Sequence, residues 1–217
     1  MKDFSPMQFF SLEKFAHAVL FKGEFVWQAL QALLPYLEKQ KLGKIESPIV
    51  DGVYLQNKET ISIGTGCHIE PGAFIEGPCI IGPKTTIRHG AYIRGGVIVG
   101  SDAVIGHATE IKHSILLNGA KAPHLNYVGD SILGADVNLG AGAVLANFRA
   151  DHAEIVIHKK FSTGMNKLGA IIGDKTQLGC NAVTNPGTLI GPESFCLPCL
   201  SIGGVFPQKS QIRESTW

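Results

Sequence analysis

The chain has 217 residues, 45% of them hydrophobic, which is enough to bury the core of one large domain. Its 19 basic and 18 acidic residues leave a net charge of +1, and no basic run with interleaved aromatic side chains is present. Nothing in this composition points to nucleic acid or to an anionic membrane surface, and we expect small-molecule partners.

No apolar run approaches the ~20 residues needed to cross a bilayer, and the first residues lack the apolar stretch and cleavage site of a signal peptide. We therefore expect a cytoplasmic protein. Among the five cysteines, Cys67, Cys79 and Cys196 stand where a small core residue is wanted, so packing explains them better than disulfides. The pair Cys196 and Cys199 has C-x-x-C spacing but no second pair, and we expect no metal site.

Residues 1–44 are expected to form a helical arm. Ser11 can cap a first helix that ends near Gly23, and a second helix follows, which Pro35 should kink or split. Both helices have an apolar face that needs a partner. We expect a helical hairpin packed on the first repeats or on a neighbouring subunit; a module that binds another protein is the alternative.

From residue 63 onward an aliphatic residue stands at every sixth position, usually with a smaller residue two places before it. Neither the helical period of 3.6 nor the strand period of 2 fits this pattern. Hexapeptide repeats of this kind stack short strands into a parallel β-solenoid, which we expect over residues 45–204. The anchors are Ile63, Ile69, Ile75, Ile81, Ile87, Ile93, Val99, Ile105, Ile111 and Leu117.

The period returns at Leu133, out of step with Leu117, and returns again at Ile172. We interpret each shift as an insertion. The second one, residues 149–165, alternates in polarity like a β-hairpin. Residues 205–217 are expected to form a tail or a short helix at the end of the solenoid.

Four segments near these shifts resemble the acetyltransferase domain of the bifunctional N-acetylglucosamine-1-phosphate uridyltransferase family. They are residues 110–112, 124–130, 138–142 and 166–174. The similarity covers about residues 63–192, and the insertion resembles the archaeal-type sugar-phosphate nucleotidylyltransferase–acetyltransferases. It implies a left-handed coil and a homotrimer, with sites where neighbouring subunits meet.

The resemblance implies transfer of an acetyl group from acetyl-CoA to the amine of an amino-sugar 1-phosphate, of the glucosamine or galactosamine type. His124 would be the general base, because neutral imidazole can take a proton from the ammonium group, and Asn147 would hold the amine. Arg94 and Lys112, separated by three hexads, should stack on adjacent coils. The other implied contacts are Tyr127, Asn138 and Lys167 with the sugar phosphate, and Ala141, Phe148, Cys180 and Pro198 with acetyl-CoA.

The chain departs from the family pattern on the acetyl-CoA side. Phe148 stands where the family commonly has tyrosine, Cys180 where it has serine and Pro198 where it has alanine. These changes leave open whether the acetyl-CoA site is intact. No Gly-rich nucleotide-binding segment follows a strand in the first sixty residues, so uridylyl transfer is not expected.

Three alternatives remain open. The chain is a non-catalytic partner or regulatory subunit, or an acyltransferase acting on a nucleotide-linked amino sugar, or a γ-class carbonic anhydrase with zinc on three histidines. A carbonic anhydrase would need a third zinc ligand beside His89 and His107, and the sequence has none in a matching position.

Overall fold

A computed structural model describes residues 3–216, which form a mostly β, parallel solenoid with one α-helix. Three eight-stranded parallel sheets make the three faces of a prism, and the chain visits the first, second and third face in turn on every coil. The prediction of a hexapeptide β-solenoid is therefore confirmed. The left-handed sense of the coil stays a prediction.

The strands are short, with two to four residues each. The first face contains Tyr54–Gln56, Phe74–Glu76, Tyr92–Ile93, Glu110–Lys112, Tyr127–Gly129, Val144–Leu145, Val183–Thr184 and Ser201–Ile202. The second face contains Ile61–Ile63, Cys79–Ile81, Val97–Val99, Ser114–Leu116, Ile132–Leu133, Ala170–Ile172, Thr188–Ile190 and Val205–Phe206. The third face contains His68–Ile69, Thr86–Ile87, Val104–His107, Lys121–His124, Asn138–Leu139, Gln177–Leu178, Phe195–Cys196 and Gln211–Ile212.

The aliphatic anchors form columns inside the prism. Ile75 pairs with Ile93 and Ile93 with Ile111, so each anchor packs on the equivalent residue of the next coil. All three side chains are fully buried, which removes their apolar surface from water and stabilises the stack. Cys67, Cys79 and Cys196 lie in the same core, as predicted, and all five cysteines are free thiols.

The register of the coils changes at the turn from the first face to the second, which we call the first corner. Ile93 and its partner Ile111 are separated by three full hexads, but Val128, the next partner of Ile111, comes one position early. The first shift is therefore a loss of one residue per coil and not the insertion that we expected. In consequence Leu116, paired with Val99, fills the core column, and Leu117 packs outside the prism.

The second shift is an insertion, as predicted, and it also falls at the first corner. Leu145 pairs with Thr184, which lies more than two coil lengths further along the chain. Within the added segment, Val156–Ile157 and Phe161–Ser162 form the expected antiparallel hairpin.

The N-terminal arm lies on the outer side of the second face. It contains one α-helix, Gln28–Glu38, which continues through Pro35, and two short 3₁₀ turns at Pro6–Gln8 and Ala18–Phe21. The expected first helix is not formed, and the backbone N–H of Ser11 donates to Asp174 Oδ2 at 2.7 Å instead of capping a helix. Apolar side chains of the arm pack on the outward residues of the second face, Ile98, Ile115, Ile132, Ile171 and Leu189.

The arm and the inserted hairpin also pack on each other. The ring of Phe161 lies edge-on to Phe4 at 5.1 Å, and Gln31 donates to the carbonyl of Thr163 at 2.9 Å. At the other end of the chain, Val205–Phe206 and Gln211–Ile212 extend two faces of the solenoid where we expected a tail. None of the helices in residues 3–216 is long and apolar enough to cross a membrane.

Candidate active site

The first corner holds a cluster of polar side chains at the point where the coils are shortened. A single residue, His113 in one coil and Asp130 in the next, turns the chain where the preceding coil uses the pair Gly95 and Gly96. Both residues have left-handed backbone, with φ of 43° and 47°. The shortened turns place His113, Asp130 and Asn147 in equivalent positions of successive coils.

Asp130 is the centre of this cluster and is 5% exposed. His113 Nδ1 donates to Asp130 Oδ1 at 2.8 Å, Asn147 Nδ2 donates to Asp130 Oδ2, and Lys112 Nζ lies 3.5 Å from that oxygen. Burial alone would raise the pKa of Asp130. The hydrogen bonds from His113 and Asn147 and the charge of Lys112 outweigh it, so the pKa of Asp130 lies below its ordinary value.

Tyr127 and Asn147 meet over Gly129. The Tyr127 hydroxyl donates to Asn147 Oδ1 at 3.4 Å. A Cβ at position 129 would lie 2.7 Å from the tyrosine oxygen and 2.8 Å from Asn147 Nδ2, so the contact requires glycine. Burial, followed by the charges of Glu110 and Asp130, raises the pKa of Tyr127, and its phenol is therefore a hydrogen-bond donor at neutral pH.

The three predicted phosphate ligands lie along the same corner, but two of them have acidic partners. Arg94 donates to Glu110 at 2.8 Å, and Lys112 pairs with Asp130 as described. Lys167 is exposed, and its ammonium lies 5.6 Å from the centre of the Phe148 ring. Phe148 and Lys167 pair at the base of the inserted hairpin, so the hairpin positions this cation at the corner.

Four of the remaining predicted residues lie at the turn from the third face to the first, which we call the third corner: His124, Ala141, Cys180 and Pro198. The strand register places His124 directly after His107 in the stack, and both are exposed. Gly142 N–H donates to the carbonyl of His124 at 3.0 Å, and Asn181 N–H donates to the carbonyl of Ala141 at 2.8 Å. The stack continues in the coils below with the exposed residues Cys180 and Pro198.

Asn138 lies on the third face, between Lys121 and Gln177. One copy of the chain thus brings Lys112, Tyr127 and Asn147 together and places His124 and Asn138 elsewhere. Sequence reasoning assigned no role to Glu110, His113, Gly129 or Asp130; the shortened register from Ile111 to Val128 was the signal that would have linked them. Within residues 3–216, no group of three or more His, Cys, Asp or Glu side chains is arranged to hold a metal ion.

The fold and the polar corner define a hexapeptide-repeat β-solenoid protein. A family model described as the GMPPB C-terminal domain matches residues 75–210, and the chain belongs to that family.

Relatives of known sequence support the motif-based resemblance, which is confirmed. A protein of Sulfurisphaera tokodaii named bifunctional sugar-1-phosphate nucleotidylyltransferase/acetyltransferase is 43% identical over 88 residues, covering 39% of this chain and 22% of that protein. The bifunctional protein GlmU of Prochlorococcus marinus is 33% identical over 168 residues, covering 70% of this chain and 34% of that protein. The chain thus spans between about a fifth and a third of these relatives.

Solved structures with a similar solenoid include AntD, an N-acyltransferase from Bacillus cereus in complex with dTDP and coenzyme A. It is 14% identical, with a TM-score of 0.34 over 83% of this chain and 89% of that chain. The UDP-N-acetylglucosamine acyltransferase of Arabidopsis is 11% identical, with a TM-score of 0.31 over 74% and 64%. Similarity at this level is too low to assign an activity.

Proposed function

We propose that the chain is an acyltransferase that moves an acetyl group from acetyl-CoA to the amine of an amino-sugar 1-phosphate. The observation that carries the proposal is the first corner, where Lys112 and Asn147 both contact the buried carboxylate of Asp130 and Tyr127 contacts Asn147. The names of the relatives, which include an acetyltransferase, support it.

In the proposed reaction the acceptor ammonium first loses a proton to His124. The free amine nitrogen attacks the thioester carbonyl carbon, so that a C–N bond forms while the C–S bond breaks. The thiolate of coenzyme A leaves and takes up the second proton, which the nitrogen loses as the neutral amide forms. Asn147 Oδ1 accepts a hydrogen bond from the amine, and the Tyr127 oxygen, whose proton is donated to Asn147, accepts one from a sugar hydroxyl.

The cations have the role of phosphate ligands in this proposal. Lys167 is exposed and has no acidic partner in the described residues, so it is free to bind the sugar phosphate. Arg94 and Lys112 are paired with the carboxylates of Glu110 and Asp130. Because their charges are partly neutralised, they contribute mainly by lowering the local negative potential.

The proposed donor site is the third corner, where Ala141, Cys180 and Pro198 stack below His124. This edge is exposed at Cys180 and Pro198, and it offers a continuous strip for the pantetheine chain of acetyl-CoA. Since Asn138 lies on a different face from Tyr127, one acceptor meets both only if they come from two copies. We therefore propose a homotrimer with shared sites.

The test is release of free coenzyme A thiol from acetyl-CoA, measured with glucosamine 1-phosphate, galactosamine 1-phosphate and nucleotide-linked amino sugars. We expect turnover with one of the sugar 1-phosphates. Turnover only with a nucleotide-linked sugar would replace the acceptor in this proposal, and binding of both substrates without thiol release would favour a non-catalytic partner subunit.

A further inference from the structure

The amide of Asn147 is held in one orientation by groups from the two coils before it. An asparagine amide can present its oxygen or its nitrogen to a ligand, and the choice depends on its hydrogen-bond partners. Here Nδ2 donates to Asp130 Oδ2, and a carboxylate can only accept. The other end of the amide, Oδ1, is thereby turned toward the Tyr127 hydroxyl at 3.4 Å.

Asp130 is itself fixed. His113 Nδ1 donates to its other oxygen at 2.8 Å, and Lys112 Nζ lies 3.5 Å from the oxygen that Asn147 uses. With 7% of its side chain exposed, the carboxylate has almost no room for another rotamer. Asn147 is 8% exposed and equally confined. The two side chains are therefore held together as one buried, hydrogen-bonded pair.

We infer that Asp130 is a positioning residue, which fixes Asn147 with its amide oxygen toward the acceptor and so selects an ammonium or amine over a hydroxyl at the reacting position. The inference rests on the proposed function and deepens it. An ammonium group carries three N–H donors and a positive charge. It gains more than a neutral hydroxyl does from an oxygen whose amide is polarised by a carboxylate.

His113 is part of the same hydrogen-bonded group. It holds Asp130 from the side opposite to Asn147, so its loss should loosen the carboxylate without removing it. The charged and titratable groups that face Asp130 are His113, Lys112 and, through Asn147, the phenol of Tyr127.

The test compares the affinity of Asp130→Asn for two ligands that differ in one group, glucosamine 1-phosphate and glucose 1-phosphate, by titration calorimetry. Asparagine tolerates the left-handed backbone at position 130. We expect glucosamine 1-phosphate to bind about 10- to 100-fold more weakly and glucose 1-phosphate to change by less than about 3-fold. Asp102→Asn is the matched control, because Asp102 is exposed and has the same left-handed backbone, with φ of 56°.

The double variant Asp130→Asn with Asn147→Asp restores the hydrogen bond between the two positions, with the donor and the acceptor exchanged. The amide introduced at position 130 would donate to the carboxylate introduced at position 147, which still presents an oxygen, so the preference for the amino sugar should return. Equal weakening of both ligands by Asp130→Asn, or unchanged binding of both, would overturn the inference.

A readout on the unmodified protein needs no ligand. With ¹⁵N-asparagine labelling, the side-chain amide of Asn147 should give one downfield proton that exchanges slowly, and Asn147→Asp identifies the signal. If that signal is present and glucosamine 1-phosphate does not bind, the proposed function fails while the geometry stands. An Asn147 amide with two equivalent, rapidly exchanging protons would refute the positioning itself.

Discussion

The hydroxyl of Tyr127 reaches the amide oxygen of Asn147 at 3.4 Å because position 129 between them carries no side chain. Gly129→Ala would place a methyl group 2.7 Å from the tyrosine oxygen, which pushes the two residues apart. The φ of Gly129 is not in the left-handed region, so the strand should persist. We expect KM for the acceptor to rise about 10-fold or more, since the hydrogen bond between Tyr127 and Asn147 is lost and both side chains move.

The control for this change is Gly203→Ala, at the same position of the first face but near the far end of the solenoid. Its methyl would meet the side chain of Asn185 at 2.9 Å and nothing in the cluster. Steady-state kinetics should show Gly203→Ala near the unmodified enzyme; equal KM values for both variants would contradict the assignment of Gly129 to the site.

His124→Ala should lower turnover by roughly 100- to 10,000-fold with little change in acceptor binding, because proton removal from the ammonium is its proposed task. His107 stands in register with His124 one coil earlier and is also exposed, so His107→Ala is the matched control. Thiol release under saturating substrates makes the comparison. Unchanged kinetics for His124→Ala would remove the general base from the proposal.

Lys167→Ala should weaken binding of the sugar phosphate about 10-fold, because this ammonium has no acidic partner in the described residues to share its charge. Calorimetry at two salt concentrations would measure the loss, which should shrink at high salt. Lys175, also exposed, lies in the turn between the second and third faces, and Lys175→Ala serves as the control. A salt-independent loss would point to packing against Phe148 instead of charge.

The lowered pKa of Asp130 makes a prediction about acid stability. A carboxylate whose pKa is lower in the folded state stabilises the fold above its unfolded-state pKa, and loses that contribution as the pH falls through the folded value. Asp130→Asn should therefore reduce the free energy of unfolding by about 1–3 kcal/mol at pH 7. The difference should narrow as the pH falls below about 4, because the unfolded chain is protonated there and the folded carboxylate only at lower pH. Urea unfolding at pH 7 and pH 3 would measure it, and a constant difference would refute the charge assignment.

Thr184 offers a test of the core columns. It pairs with Leu145 on one side and Ile202 on the other, and among residues 3–216 its hydroxyl is a buried polar atom without a hydrogen-bond partner. Thr184→Val should stabilise the protein by about 1 kcal/mol, since the hydroxyl is desolvated for no gain. In Thr85→Val, which removes a hydroxyl that donates to Gly100 at 3.0 Å, the same measurement should show a loss.

The hexad period predicted most of the solenoid because stacked coils bury the same position of every repeat. That position must therefore be apolar, as it is at Ile93 and Ile111. It was wrong where two registers were equally apolar. Leu116 and Leu117 are adjacent and both aliphatic, so either can serve as an anchor, and the period alone does not show which one points inward. The turn at His113 is one residue shorter than the turn before it, and this places Leu116 in the core column instead of Leu117.

Only part of the candidate site could be predicted from the sequence, for the same reason. Motifs marked Tyr127 and Asn147, but Asp130 joins them only because the coils at this corner are one position shorter than three hexads. The first helix of the arm was mispredicted, because its apolar residues fit a helical period that bonds to the solenoid override. The backbone N–H of Ser11, which donates to Asp174, is one example.

The arm also limits which sides of the prism are open to other copies in the proposed homotrimer. It occupies the second face with its own apolar side chains, so in the described part of the chain two sides of the prism stay open. A closed ring of three copies needs two contact surfaces on each member, one toward each neighbour. The two open sides share the edge that carries His124. Because the arm covers one side, the proposed homotrimer would use the two open sides and enclose the edge between them.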